Sequence, residues 1–199
     1  PLAPSALPHL MNPERGFIAA ANAKPCANTD EVYLGDDWLD GYRLARIEEA
    51  LAGRLDWTLD ATAELQMCTA SLPWRELRED VLLAAQSNDE AKEPLAILSA
   101  WDGRLEPDSV GATVFQFFLA SMIRRVVHAA APNAASAALG VGATELLPYS
   151  CIVTRRAGHL VGLVKKGAAD KLLSAPWHEV VAEELERTWR ALSTRYGPA

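Results

Sequence analysis

Hydrophobic positions recur along most of the chain at helical spacing. Leu39, Tyr42, Leu44, Ile47 and Leu51 return every two to four residues, which predicts an amphipathic helix that starts at Asp36 or Asp37 and ends at Gly53. Arg43, Arg46, Glu48 and Glu49 lie around it. Residues 58–70 predict a second, short helix capped by Thr58 or Asp60. Residues 73–86, PWRELREDVLLAAQ, open on a proline, which suits a first helical turn because the missing N–H has no partner there. Pro94 to Trp101 predicts another short helix, stopped by Asp102-Gly103. Between Asp108 and Ala130, the side chains of Val110, Val114, Phe117, Phe118, Met122, Ile123, Val126 and Val127 nearly surround the axis. That is the pattern of a central buried helix, capped by Asp108 or Ser109 and ended by Pro132. Residues 131–143 are rich in Ala, Gly and Ser and read as a loop. Glu145–Thr154 and Leu160–Leu173 predict two further short helices. Trp177, Val181, Leu185, Trp189, Leu192 and Tyr196 form one stripe of a final helix, with Ser174 as cap, Pro176 in its first turn and Gly197 after its end.

The N-terminal region has a different pattern. Residues 1–16 hold four prolines and no periodicity, so extended coil lying on a surface is expected. Gly16 to Ala21 is a short apolar run between turn residues. Its length and the downstream Pro25 favour a buried strand, although its alanines favour helix. The expected fold class is therefore mainly α: a single helical domain over residues 1–199 with one or two short β-strands near the N-terminus. No internal repeat interrupts it.

Composition and charge remove several function classes. With 199 residues, half of them hydrophobic, the chain can bury one sizeable core. A net charge of −7 without clustered Lys and Arg argues against a nucleic-acid surface. No uncharged apolar run reaches the length of a bilayer-spanning helix, so no membrane is expected. The start, PLAPSALPHL, lacks the basic segment and cleavage signature of a signal peptide. Cys26, Cys68 and Cys151 are odd in number and widely spaced, which fits neither a disulfide framework nor a zinc site. His9, His128, His159 and His178 do not pair with one another or with carboxylates at metal-ligand spacing. No nucleophile elbow, phosphate loop or Gly-rich dinucleotide turn is present. Asp36-Asp37 and Glu183-Glu184-Glu186 read as caps and solvated helix faces.

Two residues stand out against this background. Asn22 closes the apolar run, where an unbonded buried amide would be costly. Arg43 lies in DWLDGYRLARIEEAL, flanked by Tyr42 and Leu44. The plain reading makes Asn22 a turn residue before Pro25 and Arg43 a surface ion-pair partner.

The order of four stretches points further. NPERGFIAAANAKP resembles the NP-x-x-G-[FY]-[IV]-x-x-x-N-x-x-P segment of the penicillin acylase (penicillin amidase) family of N-terminal-nucleophile hydrolases. DDWLDGYRLARIEEAL is similar to that family's W-x-x-x-x-R-x-x-x-I-x-x-x-L helix, LQMCTASLPWRELREDVL to its L-Q-x-D-x-x-S stretch, and LSAWDGRLEPDSVGATVFQFF to its L-x-x-W-D-G followed by a small-residue helix. Together they cover residues 8–130, and their order is more specific than any one of them.

The resemblance implies a fragment of an α+β hydrolase, with residues 1–25 an extended segment and strand of the hydrolase core. It implies that the Asn22 side-chain N–H stabilises the oxyanion of a tetrahedral intermediate, and that Arg43 holds Asn22 in place. The family's nucleophile is an N-terminal serine exposed by autoproteolysis, and no serine opens this chain. A W-x-W-G-x-x-H stretch that follows the last helix in the family is also missing. The chain is thus expected to be an internal piece, inactive alone, whose partners are the small subunit and the N-terminal part of the β subunit. The substrate would be a small-molecule amide of the penicillin, cephalosporin or acyl-homoserine lactone type. No cofactor is required by this resemblance; a structural calcium is possible in the full-length protein, and the spacing around Asp30 does not match a ligand set for it. An extracytoplasmic location is implied as well. Cys68 stands where the family has Asp. The other expectation is a non-catalytic helical binding or scaffold module derived from the same family.

Overall fold

The computed structural model describes residues 3, 5, 7–25, 33–35, 38–86, 88–140 and 156–197. The chain divides into two compact units, residues 1–68 and 69–199. Among the described residues the fold is mainly α, as the hydrophobic spacing predicts, and contains no sheet.

In the first unit, Asn12 (φ +47°) and Gly16 (φ +74°) bracket a turn closed by the Gly16 N–H on the Pro13 carbonyl at 2.9 Å. The expected strand over Gly16–Ala21 does not form: these residues run irregularly. A strand exists by pairing with a neighbour, and among the described residues no ladder bond reaches this run. Ile18 is exposed, whereas Ala21 is buried. Helix α1 spans Tyr42–Gly53 and starts later than its periodicity suggests. The Leu39 N–H is bonded to the Asn22 carbonyl, which holds the preceding turn out of the helix. The candidate caps Asp36 and Asp37 lie outside the described residues. Gly53 is the last helical residue, as expected. Tyr42, Leu44, Ile47 and Leu51 are half-buried, and no α1 residue is fully buried. Helix α2, Leu59–Gln66, is capped by the Thr58 hydroxyl, which accepts from the Ala61 N–H at 3.1 Å.

The second unit contains the large core. Helix α3 (Leu72–Ala85) is capped by the Ser71 hydroxyl and carries proline in its first turn. A 3-10 turn, Asp89–Ala91, leads into α4 (Lys92–Ala100). Helix α5 (Val110–Ala130) is capped by Ser109, which accepts from the Ala112 N–H, and Pro132 follows its end. The predicted loop after it instead holds a 3-10 turn, Pro132–Ala134, and a single helical turn, α6 (Ala135–Ala138). The expected helix over 145–154 lies outside the described residues. The run expected as one helix over 160–173 is two, α7 (Ala157–Lys165) and α8 (Ala169–Leu173). Gly167, at φ +63°, breaks it: the Ala168 N–H returns to the Leu163 carbonyl and the Gly167 N–H to Val164, a Schellman closure. Helix α9 (Trp177–Tyr196) starts where expected, but Ser174 is not its cap. Ser174 sits at φ +55°, and the Asp170 carboxylate accepts from the Trp177 backbone N–H instead, at 2.9 Å.

Helices α3, α5 and α9 pack together around Leu77, Val81, Phe115, Phe118, Met122, Val181 and Leu185, all buried. At the edge of this core the W-D-G motif has a physical explanation. Trp101 is buried against Trp74 and Phe115, with ring centroids 5.0–5.5 Å apart, and its indole N–H donates to the Arg104 carbonyl. The Asp102 carboxylate accepts from the Arg104 N–H, and Gly103 takes the left-handed turn at φ +81°. Residues 103–105 then return along 69–71: the Ser71 N–H donates to Gly103 and the Leu105 N–H to Thr69. A Cβ on Gly111 would meet the Trp101 Cγ at 2.5 Å, so Trp101 lies directly on the first turn of α5.

One surface expectation is corrected here. Glu184 is not on a solvated face; it is 1% exposed. It is tolerated because Ser121 Oγ (2.6 Å) and Arg125 Nη1 (2.9 Å) of α5, with Arg187 Nη2 of α9, all donate to its carboxylate. Helix α5 is also long and apolar enough to cross a membrane by length and composition. Ten of its residues are buried inside this unit and Arg125 pairs with Glu184, which makes it a core helix.

Candidate functional site

The candidate residues Asn22 and Arg43 both lie in the first unit, 21 positions apart in sequence, and the fold brings them together. Asn22 ends the irregular apolar run in a left-handed conformation, φ +59°. Asn enters that region more readily than most residues because its short polar side chain bonds locally. The backbone is fixed there by the Asn22 carbonyl accepting the Leu39 N–H at 2.9 Å. The side chain is exposed rather than buried, so the desolvation cost expected from the sequence does not apply.

Arg43 lies in the first turn of α1. Its Nη1 donates to Asn22 Oδ1 at 3.4 Å, the long end of the hydrogen-bond range. The contact is weak at this length, and it favours one facing of the amide. A guanidinium carries only donors, so it selects the carbonyl oxygen of the amide and turns the Nδ2 hydrogens away. A positive charge on Oδ1 also polarises the amide and makes its N–H groups better donors. The arrangement therefore presents a neutral, oriented donor at the surface of this unit.

A third residue, absent from the sequence reasoning, pairs with the same helix. Arg15 forms an ion pair with Glu48 of α1, donates from Nε to the Phe17 carbonyl at 3.1 Å, and stacks over the Phe17 ring at 4.8 Å. Its partner is 33 positions away, and no local spacing rule links the two. Cys68 is half-buried, and its sulfur accepts from Arg46 Nε at 3.3 Å. Arg46 thus meets a weak acceptor where the family resemblance places a carboxylate.

The histidines lie elsewhere and are exposed. His9 bonds the Leu7 carbonyl, and His178 stands 4.0 Å from Glu179. Among the described residues no three His, Cys, Asp or Glu side chains are grouped to hold a metal ion, and Asp30 lies outside them.

Comparison with known proteins places this geometry in a context. The chain is 28% identical to the penicillin G acylase of Escherichia coli over 218 aligned positions, covering 96% of the chain and 25% of that protein. It is 31% identical to the penicillin acylase 2 proenzyme of Pseudomonas sp. (strain SE83) over 122 positions, 61% of the chain and 16% of that proenzyme. The chain thus spans about a quarter or less of the length of these relatives. The sequence pattern of the penicillin amidase family matches residues 1–199, its whole length, and the protein belongs to that family.

Proposed function

We propose that this chain supplies one donor of the oxyanion hole of an amide hydrolase, and that the donor is the Asn22 side-chain N–H. One observation carries the reading: Arg43 occupies Oδ1 and leaves Nδ2 as the free face of an amide whose backbone is pinned in a left-handed turn. Amide hydrolysis passes through a tetrahedral intermediate when a nucleophile adds to the carbonyl carbon and the carbonyl oxygen becomes an anion. A neutral N–H already aimed at that oxygen needs no reorganisation as charge develops, and removing one such donor costs about 3–4 kcal/mol, or 10²–10³ in turnover. Arg43 acts through Asn22 by holding and polarising it. The nucleophile in this reading is an N-terminal serine of the family type, on a part of the protein that precedes this chain, with its own α-amine as base. The substrate is a linear amide of the kind named in the relatives, and this chain alone does not turn it over.

Cys68 favours the other reading, a helical module that has kept the fold without the reaction, because Arg46 there meets a sulfur instead of a carboxylate. The full-length gene product, assayed with a chromogenic phenylacetyl amide, separates the two. Asn22→Gly keeps the left-handed backbone and deletes the amide. Under the proposal it cuts turnover about a hundredfold or more with folding intact, and Arg43→Ala costs activity more than stability. Unchanged turnover in Asn22→Gly sinks the oxyanion assignment. A full-length product with no amidase activity favours the module.

A further inference from the structure

The run that presents Asn22 has no secondary structure, yet a donor to an oxyanion has to be held within a fraction of an ångström. Its distal end is tied at Asn22 itself, by the Leu39 N–H on its carbonyl and by Arg43 on its amide. The proximal end is tied by Arg15. The Arg15 guanidinium makes three contacts at once: Nη1 on the Glu48 carboxylate, Nε on the Phe17 carbonyl, and its face on the Phe17 ring. The Gly16 N–H on the Pro13 carbonyl closes the turn that carries it.

We infer that Arg15 and Glu48 are a positioning pair that lays the Phe17–Asn22 run along α1 and so sets where the Asn22 amide points. The inference rests on the oxyanion reading of Asn22 for its functional meaning, and on the contacts alone for its structural meaning. The two anchors cross in order. Arg15 meets Glu48, and Asn22 meets Arg43, so the run lies antiparallel to the helix. Glu48 and Arg43 are five residues apart on α1, about 7.5 Å along its axis. The five Cα–Cα steps from Phe17 to Asn22 can span about 17 Å when extended. The run is therefore longer than the distance between its anchor points on the helix and has slack to take up. Releasing one anchor lets the slack reach Asn22, since no ladder bond among the described residues holds the middle.

The pair does little for stability. Arg15 is 41% exposed and Glu48 35%, and such ion pairs contribute weakly to folding. A purely structural role and a positioning role thus predict different results. In the full-length protein, Arg15→Ala and Glu48→Gln are compared with wild type and Asn22→Gly by limited chymotryptic proteolysis and by phenylacetyl-amide kinetics. The expected result is at least a fivefold rise in the rate of chymotryptic cleavage after Phe17, with the melting temperature unchanged. A tenfold loss in kcat with KM within twofold should accompany it. Arg15→Lys, which keeps the charge on Glu48 and loses the fork onto Phe17, should fall between. Cleavage after Phe17 that stays at the wild-type rate in Arg15→Ala overturns the inference, as does a matching fall in melting temperature and kcat. If Asn22→Gly leaves turnover unchanged while Arg15→Ala still loosens residues 17–22, the oxyanion reading fails and the anchoring stands.

Discussion

Glu184→Gln isolates the buried ionic network between α5 and α9. The carboxylate is 1% exposed and accepts from Ser121, Arg125 and Arg187. The amide keeps the shape but is neutral, and one of its two ends becomes a donor facing donors. Hydrogen bonds to charged groups contribute about 1.5–3 kcal/mol and neutral ones about 0.5–1.5, so weakening the two arginine bonds removes about 2 kcal/mol. The mismatched donor brings the loss to about 2–3 kcal/mol. Arg125 is 30% exposed and Arg187 64%, so both regain water, and the loss stays below the ~3–5 kcal/mol for breaking a fully buried pair. The expected fall in melting temperature is about 5–10 °C. Acid erases the difference. Burial raises the pKa of Glu184, but the bonds from Ser121 and Arg125 and the charge of Arg187 outweigh it, holding the group below its ordinary value of 4.5. The unfolded chain therefore binds the proton more readily, so the network's contribution is complete above 4.5 and is lost as the pH falls through the depressed folded value. Urea unfolding followed by circular dichroism at pH 7 and at about pH 3 reads both effects. A gap of the same size at the two pH values, or no gap at pH 7, would refute this account.

Two further substitutions test the packing and the altered arginine contact. Gly111→Ala places a methyl against the Trp101 Cγ and Cβ, both under 2.7 Å away, and should cost about 2–3 kcal/mol with a changed near-ultraviolet spectrum; an unchanged melting temperature would show that Trp101 moves freely. Cys68→Asp gives Arg46, 34% exposed, a charged acceptor in place of sulfur and should stabilise by about 0.5–1 kcal/mol at low salt and less in 1 M salt. The absence of any gain at low salt would count against a direct Arg46–Cys68 contact.

Much of the helical fold was legible because spacing and capping agree. The α3 reading of 73–86 differs by one residue at each end from Leu72–Ala85, and Thr58 and Ser109 cap as their position suggests. The misses come from long-range partners. Three acids within one turn of α9 look solvated until Arg125 and Ser121, some 60 positions earlier, are placed opposite one of them. A signal existed in that Glu184 falls three residues after Val181, on the buried stripe. Gly16–Ala21 reads as a strand because apolar length was visible, and the lack of a pairing neighbour among the described residues was not. At the site, helical periodicity says nothing of Asn22. The resemblance in motif order singled it out, and the contact with Arg43 lies across a separation that no local rule spans. Arg15 had no signal of either kind.

The left-handed backbone at Asn22 narrows what evolution or design can place there. The dihedral angle admits Gly, Asn and Asp with little strain and penalises other side chains by roughly 1 kcal/mol or more. The proposed chemistry admits residues with a short neutral N–H donor. Glycine meets the first demand and has no donor. Aspartate meets it with an acceptor, which would bind Arg43 and repel an oxyanion. Glutamine brings the donor one carbon too far on a residue the backbone disfavours. The two short menus share one residue, so under the proposed role this position is closed to gradual exchange: any single replacement gives up either the turn or the donor.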